Sequence, residues 1–140
     1  MNNYKFRGKR KDNHEWIFGD LIQRHPFVFI LAPVGGAANI GRYERHEVDP
    51  LTVGMFTGLL DKSGKEIYSG DVIKFHLPKN HYWASEKDQS PVGSIRYESD
   101  HGGYVVEFRE SGIRQNYVSF NCDIAFDSEV LTNIHDNQKR

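Results

Sequence analysis

Seven histidines, one cysteine and several carboxylate pairs are the residues of this 140-residue chain that could do chemistry, and their spacing decides which chemistry is open to them. His14, His25, His46, His76, His81, His101 and His135 scatter through polar, turn-forming stretches. None falls into a His-Glu-x-x-His or Cys/His pattern, the spacings by which zinc sites announce themselves. His76 and His81 are the pair worth testing for a metal. Cys122 has no catalytic neighbourhood and no serine sits in a Gly-x-Ser-x-Gly elbow, so no nucleophile is primed. Cys122 reads instead as a small core or boundary residue. Glu66 with Asp71, and Glu98 with Glu107, are acid pairs that a sheet could bring together, although like-charged pairs on exposed faces arise by chance. The run GGAANIG (35–41) lacks the Gly-x-Gly-x-x-Gly spacing and the Gly-Lys-Ser/Thr ending of a phosphate cradle. The expectation is a chain without catalytic residues, metal or cofactor.

Charge offers a different chemistry. Lys5, Arg7, Lys9, Arg10 and Lys11 fall within seven positions at the N-terminus. If Tyr4 and Phe6 turn inward, strand alternation places Lys5, Arg7, Lys9 and Lys11 on one face, a stripe suited to phosphates. The plainer reading is an edge strand whose lysines keep it from pairing with other sheets. Tyr82 and Trp83 stand in a polar loop with little core to bury them, and they read as anchors for a protein partner or as a lid folded back on the domain.

The elements that must carry these residues are strands. Lys and Arg number 18 against 19 Asp and Glu, a net charge of −1, which removes whole-molecule attraction to polyphosphate and leaves any nucleic-acid role to a local patch. Aromatic residues reach 13%, which suits a small sheet-rich core. The pattern predicts strands over Tyr4–Arg7, Trp16–Gln23, Phe27–Leu31, Thr52–Leu60 and Asp71–Phe75, with a Gly64 turn in DKSGKEIY. It continues with a hairpin of GSIRYE and GYVVEF about the turn DHGG, and with runs at Ile113–Phe120 and Glu129–Ile134. Trp16–Gln23 is too apolar on both faces for an edge. Residues 76–91 read as an insertion loop, and a short helical turn is expected near Asp127–Val130. Short strands with frequent turns argue an all-β barrel or roll. FGDLI (18–22) echoes SGDVI (69–73), too briefly to establish a repeat. The apolar stretch Pro26–Ala38 is broken by Pro33 and two glycines and falls short of the about 20 residues that a spanning helix needs. Asp12, Glu15 and Asp20 interrupt any leader-like pattern, and a single cysteine rules out a disulfide scaffold and favours a cytoplasmic chain without membrane contact.

Thr52–Phe75, TVGMFTGLLDKSGKEIYSGDVIKF, resembles the signature of the YopX family of phage and prophage proteins. KFRG (Lys5–Gly8), FGDLI, GSIRYE and LTNIHDN (Leu131–Asn137) are similar to the family's other blocks in the same order. The resemblance implies a single domain over 1–140, with N-terminal strands (about 1–60) packed with an SH3-like small β-barrel (about 61–140). It further implies mobile-element origin and no established activity, and it carries over no catalytic residue. Together these readings predict a mainly β, non-enzymatic binding or accessory module that contacts a host or phage protein. The alternative is a small nucleic-acid-binding barrel using the basic N-terminal strand. Self-pairing through edge strands into a homo-oligomer stays open.

Overall fold

A computed structural model describes residues 5–76, 91–110 and 114–136. The chain divides into two compact units, Met1–Phe56 and Thr57–Arg140, and the division falls inside a strand. His81, Tyr82, Trp83 and most of the expected insertion loop lie outside the described residues. Among the described residues no helix is long and apolar enough to cross a membrane.

The first unit is an antiparallel sheet. β1 (Phe6–Lys9), β2 (Trp16–Arg24), β3 (Phe27–Pro33), β4 (Tyr43–Glu47) and the opening of β5 (Gly54–Leu60) lie in the order β4-β3-β2-β1-β5. His25 and Pro26, joined by a cis peptide, link β2 to β3, and Arg24 faces Phe27 across the turn. β1 pairs with β2 on one side (Phe6 with Gly19) and with β5 on the other (Phe6 with Met55). It is therefore interior, and its lysines do not guard an edge, because Gly54 and Met55 fill the side that the sequence reading left open. The unit's edge strand is β4, whose charged residues Glu44, Arg45 and Glu47 serve as the guard.

One side of this sheet is closed. Ile30 and Val48 are fully buried and Ala32 nearly so, and a Cβ at Gly8 would come within 2.9 Å of Val48 Cγ2. At Gly19 a Cβ would lie 2.0 Å from the Leu31 carbonyl oxygen, so only glycine fits in mid-strand there. Gly70, its counterpart in the SGDVI echo, lies outside the strands with φ 93°, so the two segments do not repeat a structure. A 3-10 turn at Pro50–Thr52 is capped by Asp49, whose side chain accepts from Leu51 N–H at 3.0 Å, and Thr52 Oγ1 accepts from Lys9 N–H at 2.8 Å.

The second unit opens with the rest of β5 beside β6 (Glu66–Tyr68), where Thr57 Oγ1 donates to the Ile67 carbonyl at 2.7 Å. Its main sheet comprises β7 (Asp71–Lys74), β8 (Val92–Glu98), β9 (Gly103–Glu110), β10 (Arg114–Ser119) and β11 (Glu129–Asn133), in the order β10-β9-β8-β7-β11. β10 and β11 each have one strand neighbour, so the sheet does not close into the expected barrel. The physical reason is α1 (Cys122–Phe126), which carries the chain from β10 to the opposite edge and buries Ile124 and Ala125 in the core. The helix starts after Asn121, whose side-chain oxygen accepts from Ile124 N–H at 3.2 Å, and it ends before the Asp127–Val130 stretch where a helical turn was expected. Cys122, expected in the core or at its boundary, is exposed in the first turn of that helix.

Ile73, Phe75, Ile95, Val106, Phe108 and Ile124 form a buried cluster, with Phe75 and Phe108 edge-to-face at 5.6 Å between centroids. The Asp61–Lys65 turn forms as the sequence predicts. Asp61 N–H donates to the Lys65 carbonyl at 2.8 Å, Asp61 Oδ1 accepts from Ser63 and Lys65 N–H at 2.8 and 2.9 Å, and Gly64 takes φ 83°. The same carboxylate reaches across 69 residues, its Oδ2 accepting from Val130 N–H at 3.0 Å. The β8–β9 hairpin also forms about its Gly102 turn, pairing Glu98 with Gly103.

Candidate functional site

The first unit's sheet has a second face, and the register says what stands on it. Arg7 lies opposite Phe18 and Lys9 opposite Trp16; Asp20 lies opposite Leu31 and Ile22 opposite Phe29; Leu31 lies opposite Arg45 and Phe29 opposite Glu47. Because side chains alternate along a strand, these residues share one side with Phe27, Tyr43 and Phe56. Where the closed side buries Ile30 and Val48 completely, this side leaves Phe18 47%, Phe27 50% and Tyr43 59% exposed.

Cations lie on its rings. The Arg7 guanidinium is 4.7 Å from the Trp16 ring centroid and Lys9 Nζ 5.4 Å from the same ring. Lys5 Nζ is 5.4 Å from Phe56, and the Arg45 guanidinium 5.2 Å from Phe29. Each contact attracts the charge to the negative face of the ring while the aliphatic stem covers apolar surface. Arg7 is buried, which an interior strand explains and an edge strand would not.

Alternation therefore predicts correctly that Lys5, Arg7 and Lys9 share a side, but the structure does not make one stripe of the five N-terminal cations. Arg10 forms a two-pronged pair with Asp12, at 2.9 Å from Nε and 2.6 Å from Nη2. That hydrogen bond holds the Asp12 carboxyl below its usual range. Lys11 lies past the end of β1 and pairs with Glu47 at 2.7 Å. Sequence reasoning missed the aromatic face itself. Its signal was present in WIFGDLIQ and FVFIL, where Trp16, Phe18 and Ile22 share one alternation that only Asp20 interrupts, and Phe27, Phe29 and Leu31 recur at every second position.

The other candidate residues each have neighbours within their own unit. Arg96 on β8 hydrogen-bonds Glu98 and lies 3.3 Å from Glu107, with its guanidinium 5.5 Å from the Tyr117 ring. The carboxylate pair of the β8–β9 hairpin is thus bridged by a cation, and the hydrogen bond from Arg96 keeps Glu98 below the usual carboxylate range. Asp71 is buried and accepts from Tyr68 N–H at 2.8 Å, while Glu66 accepts from the Tyr68 hydroxyl at 3.2 Å. His101 Nε2 hydrogen-bonds the Ser119 hydroxyl, and its ring meets Tyr117 edge-on at 6.5 Å. Burial and the neighbouring Tyr97 push the Tyr104 hydroxyl pKa up, and the two rings meet edge-to-face at 5.6 Å. Among the described residues no three His, Cys, Asp or Glu side chains gather as a metal site would require.

Comparison with known proteins places the chain among its relatives. The profile of the YopX protein family matches residues 5–140. The chain belongs to the YopX family. No curated protein matches it. Among solved structures, the chain is similar to the crystal structure of protein EF1440 from Enterococcus faecalis, with a TM-score of 0.55 and 20% identity, covering 99% of this chain and 98% of that one. At that identity the likeness speaks for the fold. Membership of the YopX family assigns no residue a catalytic role, so the aromatic face stands on its geometry.

Proposed function

We propose that this YopX-family chain is a non-enzymatic binding module that engages a protein partner through the open face of its first sheet. In keeping with the family resemblance, we place it in the cytoplasm of a bacterial host as an accessory protein of a phage or integrated element. The observation that carries the reading is the exposure of Phe18, Phe27 and Tyr43 on one face, beside Trp16 and Phe29 with cations laid on their rings. Aromatic and arginine side chains are the residue types that dominate protein interfaces, and large exposed apolar surface on a folded protein marks a contact site.

Nucleic-acid binding through the N-terminal strand draws less support, since Lys5, Arg7 and Lys9 lie on rings and Arg10 and Lys11 are in ion pairs. The test is capture from a bacterial lysate, with retained proteins identified by mass spectrometry. Wild-type bait is compared with Phe18→Ser combined with Tyr43→Ser, and with Leu131→Ser as an equally exposed control in the second unit. Retained proteins that disappear only with the Phe18 and Tyr43 changes support the reading. An identical set from all three baits, together with no association of the chain with itself through this face, overturns it, and steeply salt-dependent retention of single-stranded DNA or RNA in place of protein would transfer the face to nucleic acid.

A further inference from the structure

The centre of the open face is self-complementary, and we infer that its partner is a second copy of this chain, packed face to face about a two-fold axis that runs along β3. The inference rests on the binding reading above and names the occupant of the same face. Leu31 on β3 has Asp20 of β2 directly on one side and Arg45 of β4 directly on the other. Two residues along those flanking strands, in the same direction, stand Phe18 and Tyr43. Asp20 and Arg45 are both exposed, and neither makes an ion pair among the described residues.

Rotating a copy by half a turn about an axis along β3 exchanges the two sides of that strand. Asp20 of each copy then faces the partner's Arg45, Phe18 faces the partner's Tyr43, and Leu31 meets the partner's Leu31. Strands within a sheet are about 4.8 Å apart and packed sheets about 10 Å, a gap that aspartate and arginine side chains together can bridge. The roughly 30° angle at which aligned sheets pack moves positions one strand from the pivot by only a few ångströms, so pairing about Leu31 survives it. A two-fold axis lying in the same plane but across β3 would set Asp20 over Asp20 and Arg45 over Arg45. Charge therefore selects one of the two symmetric arrangements. It also argues against a nucleic-acid strand here, since the exposed carboxylate of Asp20 would repel a phosphate backbone beside the one cation, Arg45, that is exposed in this row. Two symmetric ion pairs flanking an apolar centre of Leu31, Phe18 and Tyr43 have the layout of an isologous interface.

The experiment is sedimentation equilibrium of the full chain over a wide concentration range, with circular dichroism confirming that each variant folds. Wild type is expected to be a dimer that dissociates on dilution. Asp20→Arg alone and Arg45→Asp alone set like charges against each other and should each weaken association by about tenfold or more. The double variant restores opposite charges with their places exchanged and should recover the dimer. Phe18→Asp should abolish the dimer in either charge background, so the apolar part of the interface is tested even if one charge variant misfolds. A wild-type chain that stays monomeric overturns the inference, as does a dimer indifferent to Asp20→Arg and Phe18→Asp. Lysate capture lost with the Phe18 and Tyr43 changes would, beside a monomeric chain, leave the binding reading standing with another partner. A monomeric chain with no such loss removes both.

Discussion

The two units cover a small antiparallel sheet in different ways, although each leaves large side chains in water, Tyr97, Tyr117 and Phe126 among them in the second. In the second, Ile73, Phe75, Ile95, Val106 and Phe108 are sealed in one cluster with a helix turn closing it, and Asp61 ties two segments 69 residues apart. In the first, complete burial is confined to one side of the sheet, and aromatic residues on the other are half exposed with cations across neighbouring rings. Apolar area left in water contributes nothing to folding, yet it remains available to an interface. On the reading proposed above, the contrast sets stability in the second unit's cluster against recognition on the first unit's open face.

The sharpest way to break that contrast is to cut into the sealed cluster. Phe108→Ala removes a buried ring and its edge-to-face contact with Phe75 and should cost about 3 to 5 kcal/mol, measured by urea unfolding at neutral pH. A loss under about 1 kcal/mol would mean that the cluster collapses freely and is not the core described.

A smaller effect should follow at the turn. Asp61→Ala strands the Ser63, Lys65 and Val130 N–H groups and should cost about 2 to 3 kcal/mol. Burial works to raise the Asp61 pKa, but donation from Val130, Lys65 and Ser63 outweighs it and holds the carboxyl below the ordinary value. The folded-state pKa is thus the lower one, so this contribution is complete above the unfolded value of about 4 and fades as pH falls through the folded value. Unfolding of wild type and variant at pH 7, 5 and 3 should show the gap between them holding at the first two and narrowing at the third. A gap that widens in acid would contradict the assignment.

Much of the second unit was legible in the sequence because its signals are local. DKSGKEIY states its own turn through Asp61 and Gly64, and DHGG states the β8–β9 hairpin, since turn chemistry resides in the residues that make the turn. What the pattern could not supply was who pairs with whom. Nothing in KFRGK says that Gly54 and Met55 will flank it, so an interior strand passed for an edge. A run of strands reads alike whether its sheet closes or stays open, and the barrel gave way to an open sheet because five residues after Asn121 turn helical. The open aromatic face was half legible. Periodicity separates the two sides of β2 and β3, but which side is covered depends on tertiary packing that no single strand encodes.

The smallest expected effect sharpens the contrast most. Phe18→Ser deletes a ring that is already about half in water, on the face opposite buried Ile30 and Val48. A buried phenylalanine loses both transfer energy and packing on truncation, whereas a surface position away from caps, turns and cores stays within about 0.5 kcal/mol. Phe18 lies opposite Arg7 across the strands and two positions from Asp20 along its own. Unfolding monitored by circular dichroism at low protein concentration, where association is negligible, should place the variant within that margin of wild type. The same variant at high concentration should fall behind wild type as the association of the wild-type chain adds to its apparent stability. A loss of about 2 kcal/mol or more at low concentration would make Phe18 a core residue, and the distinction between a sealed unit and an open one would fail at its clearest position.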